Sequence, residues 1–196
     1  MPMREMKIHA TRLSGLRRIE PFYEQDDRGY FLKSFERDVF CAEGITMHIQ
    51  ESFESYSVMG VLRGMHFQTR APQAKLISCL DGYIFDVAVD LRPSSETFGQ
   101  WESFYLSGAE HSALYLPAGF AHGFLVLSQG ARVSYLCDGA YLPGADTGII
   151  WNDTDLGIDW PLDLVDDVRL SPRDQALPTL GECIRLHALP EEGPQC

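Results

Sequence analysis

The chain is expected to be all-β, an antiparallel sandwich or barrel with a few short helices. Three observations carry that expectation. Between about Val58 and Tyr141 the sequence divides into short apolar runs; turn signals fall between them at regular spacing; and one run, Ile84 to Leu91, alternates cleanly between apolar and polar residues.

In order along the chain, Ser34 to Glu43 reads as a short helix closed by Gly44. Strand-like runs follow at Lys75 to Leu80, Ile84 to Leu91, Trp101 to Leu106, Ala113 to Leu116, Gly123 to Leu127 and Ala131 to Cys137. In the second, Phe85, Val87, Val89 and Leu91 share one face and Asp86, Ala88 and Asp90 the other. Asp81-Gly82, Pro93-Ser94-Ser95, Ser107-Gly108, Pro117-Ala118-Gly119, Gln129-Gly130 and Asp138-Gly139 supply the turns. Pro161 to Val168 holds another helical turn. The end, Leu189 to Cys196, is short, polar and contains Pro and Gly, so it is expected to be disordered. Residues 1–188 then form one domain, with no repeat or linker to divide them.

A net charge of -12 argues against nucleic acid and against an anionic membrane surface as partners. An acidic chain that binds a phosphorylated ligand must gather its few cations locally. The five cysteines, Cys41, Cys79, Cys137, Cys183 and Cys196, are odd in number and free of any C-x-x-C pair. They fit reduced thiols better than disulfides or a zinc site. Met1 to Gly15 has no long apolar run, and no stretch has the length of a membrane span, so a cytoplasmic location is expected.

The chemistry concentrates in Arg63-Gly64-Met65-His66-Phe67-Gln68, with Lys75 soon after, and in Pro117 to Phe124, which contains His122. If these segments meet, they make a basic pocket with a candidate general base. Such a pocket suits removal of a proton from carbon beside a carbonyl on an anionic substrate. Each residue also has a plainer reading. A histidine among Val61, Leu62, Met65 and Phe67 is often a satisfied core residue; Arg63 and Lys75 are ordinary solvated strand positions; Tyr135 and Tyr141, flanking Asp138-Gly139, are often packing aromatics. A base needs a carboxylate on its other nitrogen, and Asp174 is one candidate among 28 acidic residues. Metal-binding barrels of the cupin type place H-x-H early, and His66 has no second histidine two residues away. Neither a metal nor another cofactor is expected.

These motifs resemble the dTDP-4-dehydrorhamnose 3,5-epimerase family, over about Asp27 to Leu180. The resemblance rests on Val61 to Gln68, Ala74-Lys75-Leu76, Phe85 to Arg92, Thr97 to Trp101, Pro117 to Phe124, Gly148 to Asp153, Gly157 to Pro161 and Leu170 to Asp174. It implies a cupin-like jelly roll, dimeric by strand exchange and metal-free, acting on a nucleotide-linked 4-keto-6-deoxy sugar. It further implies His66 as the base with Asp174 as its dyad partner, Tyr135 as the proton donor on the opposite face, and Lys75 beside the enolate oxygen at C4. Arg63, His122 and Arg173 would line the sugar-diphosphate site, with Tyr141 alongside.

The substrate-binding stretches depart from the family's pattern. Asp26-Asp27-Arg28-Gly29-Tyr30-Phe31-Leu32-Lys33 stands where the family reads Asp-Glu-Arg-Gly-Phe-Phe-x-Glu, which puts Lys33 at the glutamate that reaches thymine. Gln50-Glu51-Ser52 replaces Gln-x-Asn, and Asp146 replaces a glutamate. Thymine N3 donates a proton, and lysine has no lone pair to accept it. A CDP- or GDP-linked keto sugar, inverted at one carbon only, is therefore an alternative to a dTDP-linked sugar inverted at C3 and C5. A sugar-nucleotide binding protein without turnover is the non-enzyme alternative.

Overall fold

A computed structural model describes residues 3–191, and two antiparallel sheets packed face to face make a cupin-like jelly roll. The larger sheet has the order β2 (Lys7–Ala10), β3 (Arg17–Glu20), β11 (Ala113–Leu116), β8 (Ala74–Asp81), β13 (Gly130–Asp138) and β6 (Ile49–Val58). The facing sheet has the order β10 (Trp101–Ser107), β9 (Tyr83–Asp90), β12 (Phe120–Val126), β7 (Leu62–Gln68) and β14 (Asp146–Gly148). A small third sheet joins β1 (Met3–Arg4), β4 (Phe22–Asp26) and β5 (Gly29–Lys33). The runs expected as strands all form. The five N-terminal strands, β6 and β14 were not expected.

Ile77 and Cys79 of β8, Val133 of β13, Ile84 and Ala88 of β9, and Phe120 and Phe124 of β12 fill the space between the sheets. The outer face of the five-stranded sheet is not wet. Phe85, Val87, Val89 and Leu91 pack there against Ile149, Leu156, Trp160, Leu180 and Cys183 from the C-terminal third. The apolar face of β9 thus looks away from the sandwich interior, and its Asp86–Ala88–Asp90 face looks in. This explains why every residue of β9 after Tyr83 is buried although its pattern alternates.

The helices are short. α1 (Arg37–Ala42) falls within the expected segment and buries Phe40 against the outer face of the larger sheet, with Gly44 N–H returning to Cys41 O. A single 3-10 turn, Leu162–Leu164, stands in the Pro161 to Val168 stretch. α2 (Pro172–Gln175) begins with a proline after Ser171, whose Oγ accepts from Asp174 N–H at 3.0 Å. α3 (Leu180–Arg185) begins with a capping box between Thr179 and Glu182. No helix among the described residues is long and apolar enough to cross a membrane. Of the end expected to be disordered from Leu189, Leu189 packs on the core, Pro190 is buried, and Glu191 N–H bonds Thr69 O at 2.7 Å. Residues 192–196 lie outside the described residues.

Two motifs of the sequence have a structural use. Asp90, fully buried, accepts from Arg92 Nε (2.9 Å) and Nη2 (2.6 Å), Ser95 Oγ (2.5 Å) and Thr97 Oγ1 (2.6 Å), which closes the Leu91 to Gln100 loop on itself. Burial alone would raise this carboxyl; Arg92, Ser95 and Thr97 outweigh it and hold the group below its ordinary value. Asp153 accepts from the backbone N–H of Asp155 and Leu156 through Oδ1 and of Leu180 through Oδ2, tying the C-terminal wrap to α3.

Candidate active site

His66 sits on β7 with Arg63 three residues before it, and a regular strand would point them to opposite faces. The β7–β12 ladder breaks between them: His66 pairs with His122 and Arg63 with Phe124, so Gly64 and Met65 oppose Gly123 alone. This bulge shifts the alternation by one, turning both Arg63 and His66 inward while Met65 and Phe67 join the outer core. Gly64 has a φ of +122°, and a Cβ there would lie 2.5 Å from Gly123 Cα and 2.8 Å from His122 O. Only glycine permits that approach.

Arg63, His66, Lys75, His122 and Tyr135 converge on one pocket of about 190 Å³, walled by Phe53, Ser55 and Phe124. His66 Nε2–H donates to Asp174 Oδ1 at 2.6 Å. Asp174 is 4% exposed and comes from α2, 108 residues away in sequence. Burial would raise its carboxyl, but the bond and charge of His66, with Ser171 and Arg173 adding to them, hold it below the ordinary carboxylate value. An ionised Asp174 can only accept, so the proton of the imidazole stays on Nε2 and the lone pair on Nδ1. Ser57 Oγ accepts from Arg63 Nε at 2.9 Å and fixes the guanidinium at the rim.

The second histidine has its own carboxylate. His122 Nε2–H donates to Oδ2 of the fully buried Asp86 at 2.8 Å. Burial pushes the Lys75 ammonium down from its ordinary value, against the opposing influence of Cys137 and Asp146. Burial likewise pushes the Tyr135 phenol well up, and neighbouring Ser55 and the Arg63 charge only partly offset it. Tyr135 therefore keeps its proton at neutral pH. The pocket combines an oriented base, a protonated phenol, a desolvated amine and a guanidinium, and this set can take a proton from an acidic C–H and return one.

Not every expected site residue lies here. Tyr141 Oη donates to Asp146 Oδ2 at 2.9 Å and Arg173 Nη2 bonds the same oxygen at 2.8 Å, so these three form a cluster flanking the Asp174 helix rather than lining the pocket. Arg28 and Lys33 lie on the β4–β5 hairpin, where Arg28 pairs with Asp26 and Lys33 with Glu36. Ser52 pairs with Leu136 and shares its face, directed away from the pocket, and Gln50 falls where the β6–β13 register slips. The inward positions of β6 belong to Glu51, Phe53, Ser55 and Ser57, which pattern reading passed over. Glu51 caps the Tyr141 N–H at 2.8 Å. The signal for Asp86 was visible: an acid on the interior face of a strand is rare unless it has a partner. Among the described residues no group of three His, Cys, Asp or Glu side chains is placed to hold a metal ion.

Residues 10–182 match the sequence model of a family described as dTDP-4-dehydrorhamnose 3,5-epimerase. An enzyme of that name from Methanothermobacter thermautotrophicus is 46% identical over 180 residues, covering 92% of this chain and 97% of that protein. Its Escherichia coli K12 counterpart is 43% identical, covering 92% and 98%. Among solved structures, the dTDP-6-deoxy-D-glucose-3,5-epimerase of Legionella pneumophila, crystallised with dTDP-4-keto-L-rhamnose, superposes with a TM-score of 0.90 at 42% identity, covering 96% of this chain and all of that one.

Proposed function

The chain belongs to the dTDP-4-dehydrorhamnose 3,5-epimerase family, and from that premise we propose how its own residues invert a nucleotide-linked 4-keto-6-deoxy sugar. It is an isomerase, a carbohydrate epimerase. The observation that carries the assignment of roles is the His66–Asp174 dyad opening onto the pocket that also holds Lys75 and Tyr135.

The C4 ketone acidifies the protons on C3 and C5. His66 Nδ1 takes one of them, and the bonding pair moves through the C4 carbon onto its oxygen, giving an enolate. Lys75 faces that oxygen and stabilises the charge in a site with little water. Tyr135 then delivers its proton to the opposite face of the carbon, which inverts it. The phenolate regains a proton from solvent and the imidazolium loses one, restoring the starting state. Asp174 holds the imidazole in the required tautomer. Arg63 supplies charge for the diphosphate, and His122, held by Asp86, orients the sugar.

The dTDP-linked sugar is the favoured substrate. Lys33, the residue that argued for another base, is paired with Glu36. Assembly is a homodimer by strand exchange: β6 leaves one edge of the larger sheet unpaired, and Tyr30 and Phe31 of the β4–β5 hairpin are about three-fifths exposed, both of which a partner would cover. The cysteines described as free fit a cytoplasmic location.

Proton NMR of dTDP-4-keto-6-deoxyglucose with the protein in D2O is the test. Deuterium at both C3 and C5, with inversion, supports the 3,5-epimerase reading. Deuterium at one carbon means a single-centre enzyme. No exchange with this substrate, followed by exchange with a CDP- or GDP-linked sugar, would reinstate Lys33 as a nucleotide selector.

A further inference from the structure

Tyr135 is held by two rings. Phe53 stacks on it nearly parallel, with centroids 4.7 Å apart and 17° between planes, and His122 meets it edge-on at 6.0 Å and 74°. The two stacked residues are register partners on β6 and β13, so one backbone ladder fixes both rings. Their exposures differ sharply: Tyr135 is 7% exposed and Phe53 is 47% exposed. Phe53 therefore lies on the solvent side of the phenol, on an edge strand where Ser57, a further residue of the same face, anchors Arg63.

We propose that Phe53 is a positioning residue for reprotonation: its stacked ring holds Tyr135 in the orientation that delivers a proton to the face opposite His66, and keeps water away from that face. This rests on the reading of Tyr135 as the proton donor. The enolate has two fates. A proton from Tyr135 gives the inverted carbon. A proton returned from His66 on its own face regenerates the starting configuration, with solvent isotope now in place. The geometry of the phenol decides the partition between them, and an offset stack at this distance is a strong orienting contact for an aromatic ring. Burial raises the phenol, in surroundings that include Ser55, Asp86, Arg63 and Cys137.

The experiment is the ratio of inverted product to deuterium-labelled, uninverted substrate, read by NMR in D2O for the full-length protein and its variants. For Phe53→Ala the ratio is expected to fall about fivefold or more, while deuterium still enters the sugar. Phe53→Tyr, which keeps the stack, should restore the ratio. Phe53→Leu, which fills the volume without stacking, should stay low, and it carries the test should Phe53→Ala fail to fold. Exchange and inversion falling in parallel, with the ratio unchanged in both the Ala and Leu variants, would overturn the proposal and leave Phe53 a packing residue. Tyr135→Phe separates the two ideas. If it still inverts like the wild type, the donor reading itself fails; if it exchanges without inverting while the Phe53 variants keep the normal ratio, only the positioning role is lost.

Discussion

His66 and His122 are register partners on adjacent strands, yet each donates its Nε2–H to a different carboxylate, Asp174 from a four-residue helix and Asp86 from the neighbouring strand. The two imidazoles share a pocket and are fixed by separate supports. Changing one support should therefore leave the other in place.

Asp174→Asn removes an acceptor that fixes the imidazole tautomer. We expect turnover to fall by roughly 10²–10⁴ with little change in KM, because the base is then misoriented while the sugar-diphosphate contacts persist. Steady-state kinetics on the dTDP-linked sugar check this. A large rise in KM with normal kcat would move Asp174 from the dyad to substrate binding.

The same carboxyl links stability to acid. Its folded value lies below the ordinary 3.8, so its contribution is fully present above that value and is lost as pH falls through the folded one. Thermal melts of wild type and Asp174→Asn should accordingly differ at neutral pH and converge in strong acid. A difference that persists unchanged at low pH would place the effect elsewhere.

Lys75 has the opposite sign. Its folded value is depressed below the ordinary 10.5, so the proton opposes folding: the penalty is full below the folded value, shrinks as pH rises from there, and is gone above 10.5. Lys75→Met should melt higher than wild type at neutral pH while losing nearly all epimerase activity. A variant both less stable and still active would contradict the enolate role.

Gly64→Ala places a methyl against the β12 backbone at a φ that L-residues rarely adopt. A loss of about 2 kcal/mol or more is expected, with activity falling even in the folded fraction because Arg63 and His66 lose their shared direction. Denaturant melts together with activity per folded molecule report both. Ordinary stability with full activity would mean that the bulge tolerates a side chain.

The parts of the fold legible in sequence were those with one strong pattern. β9 to β13 announce themselves through alternation and Gly or Pro turns. β6 does not: it lies at a sheet edge, its outward residues are wet, and Ile49-Gln50-Glu51-Ser52-Phe53-Glu54 has no clear apolar face. The first five strands are only two to five residues long, too short to show a period. In the site, the R-G-x-H spacing on β7 was readable as chemistry but not as geometry, since the bulge that turns both side chains inward is a tertiary feature. Asp174 was readable only through family resemblance, because nothing local distinguishes it from the other acids.

The Asp90 loop carries a lesson for reading other genomes. Its four side-chain hydrogen bonds come from Arg92, Ser95 and Thr97 alone, none of which lines the pocket. A chain that keeps this stretch but has lost His66 or Tyr135 would fold into the same barrel and catalyse nothing. The stretch is thus a badge of architecture, and a search seeded on it will gather scaffolds, whereas one seeded on Arg63, His66 and Asp174 will gather enzymes.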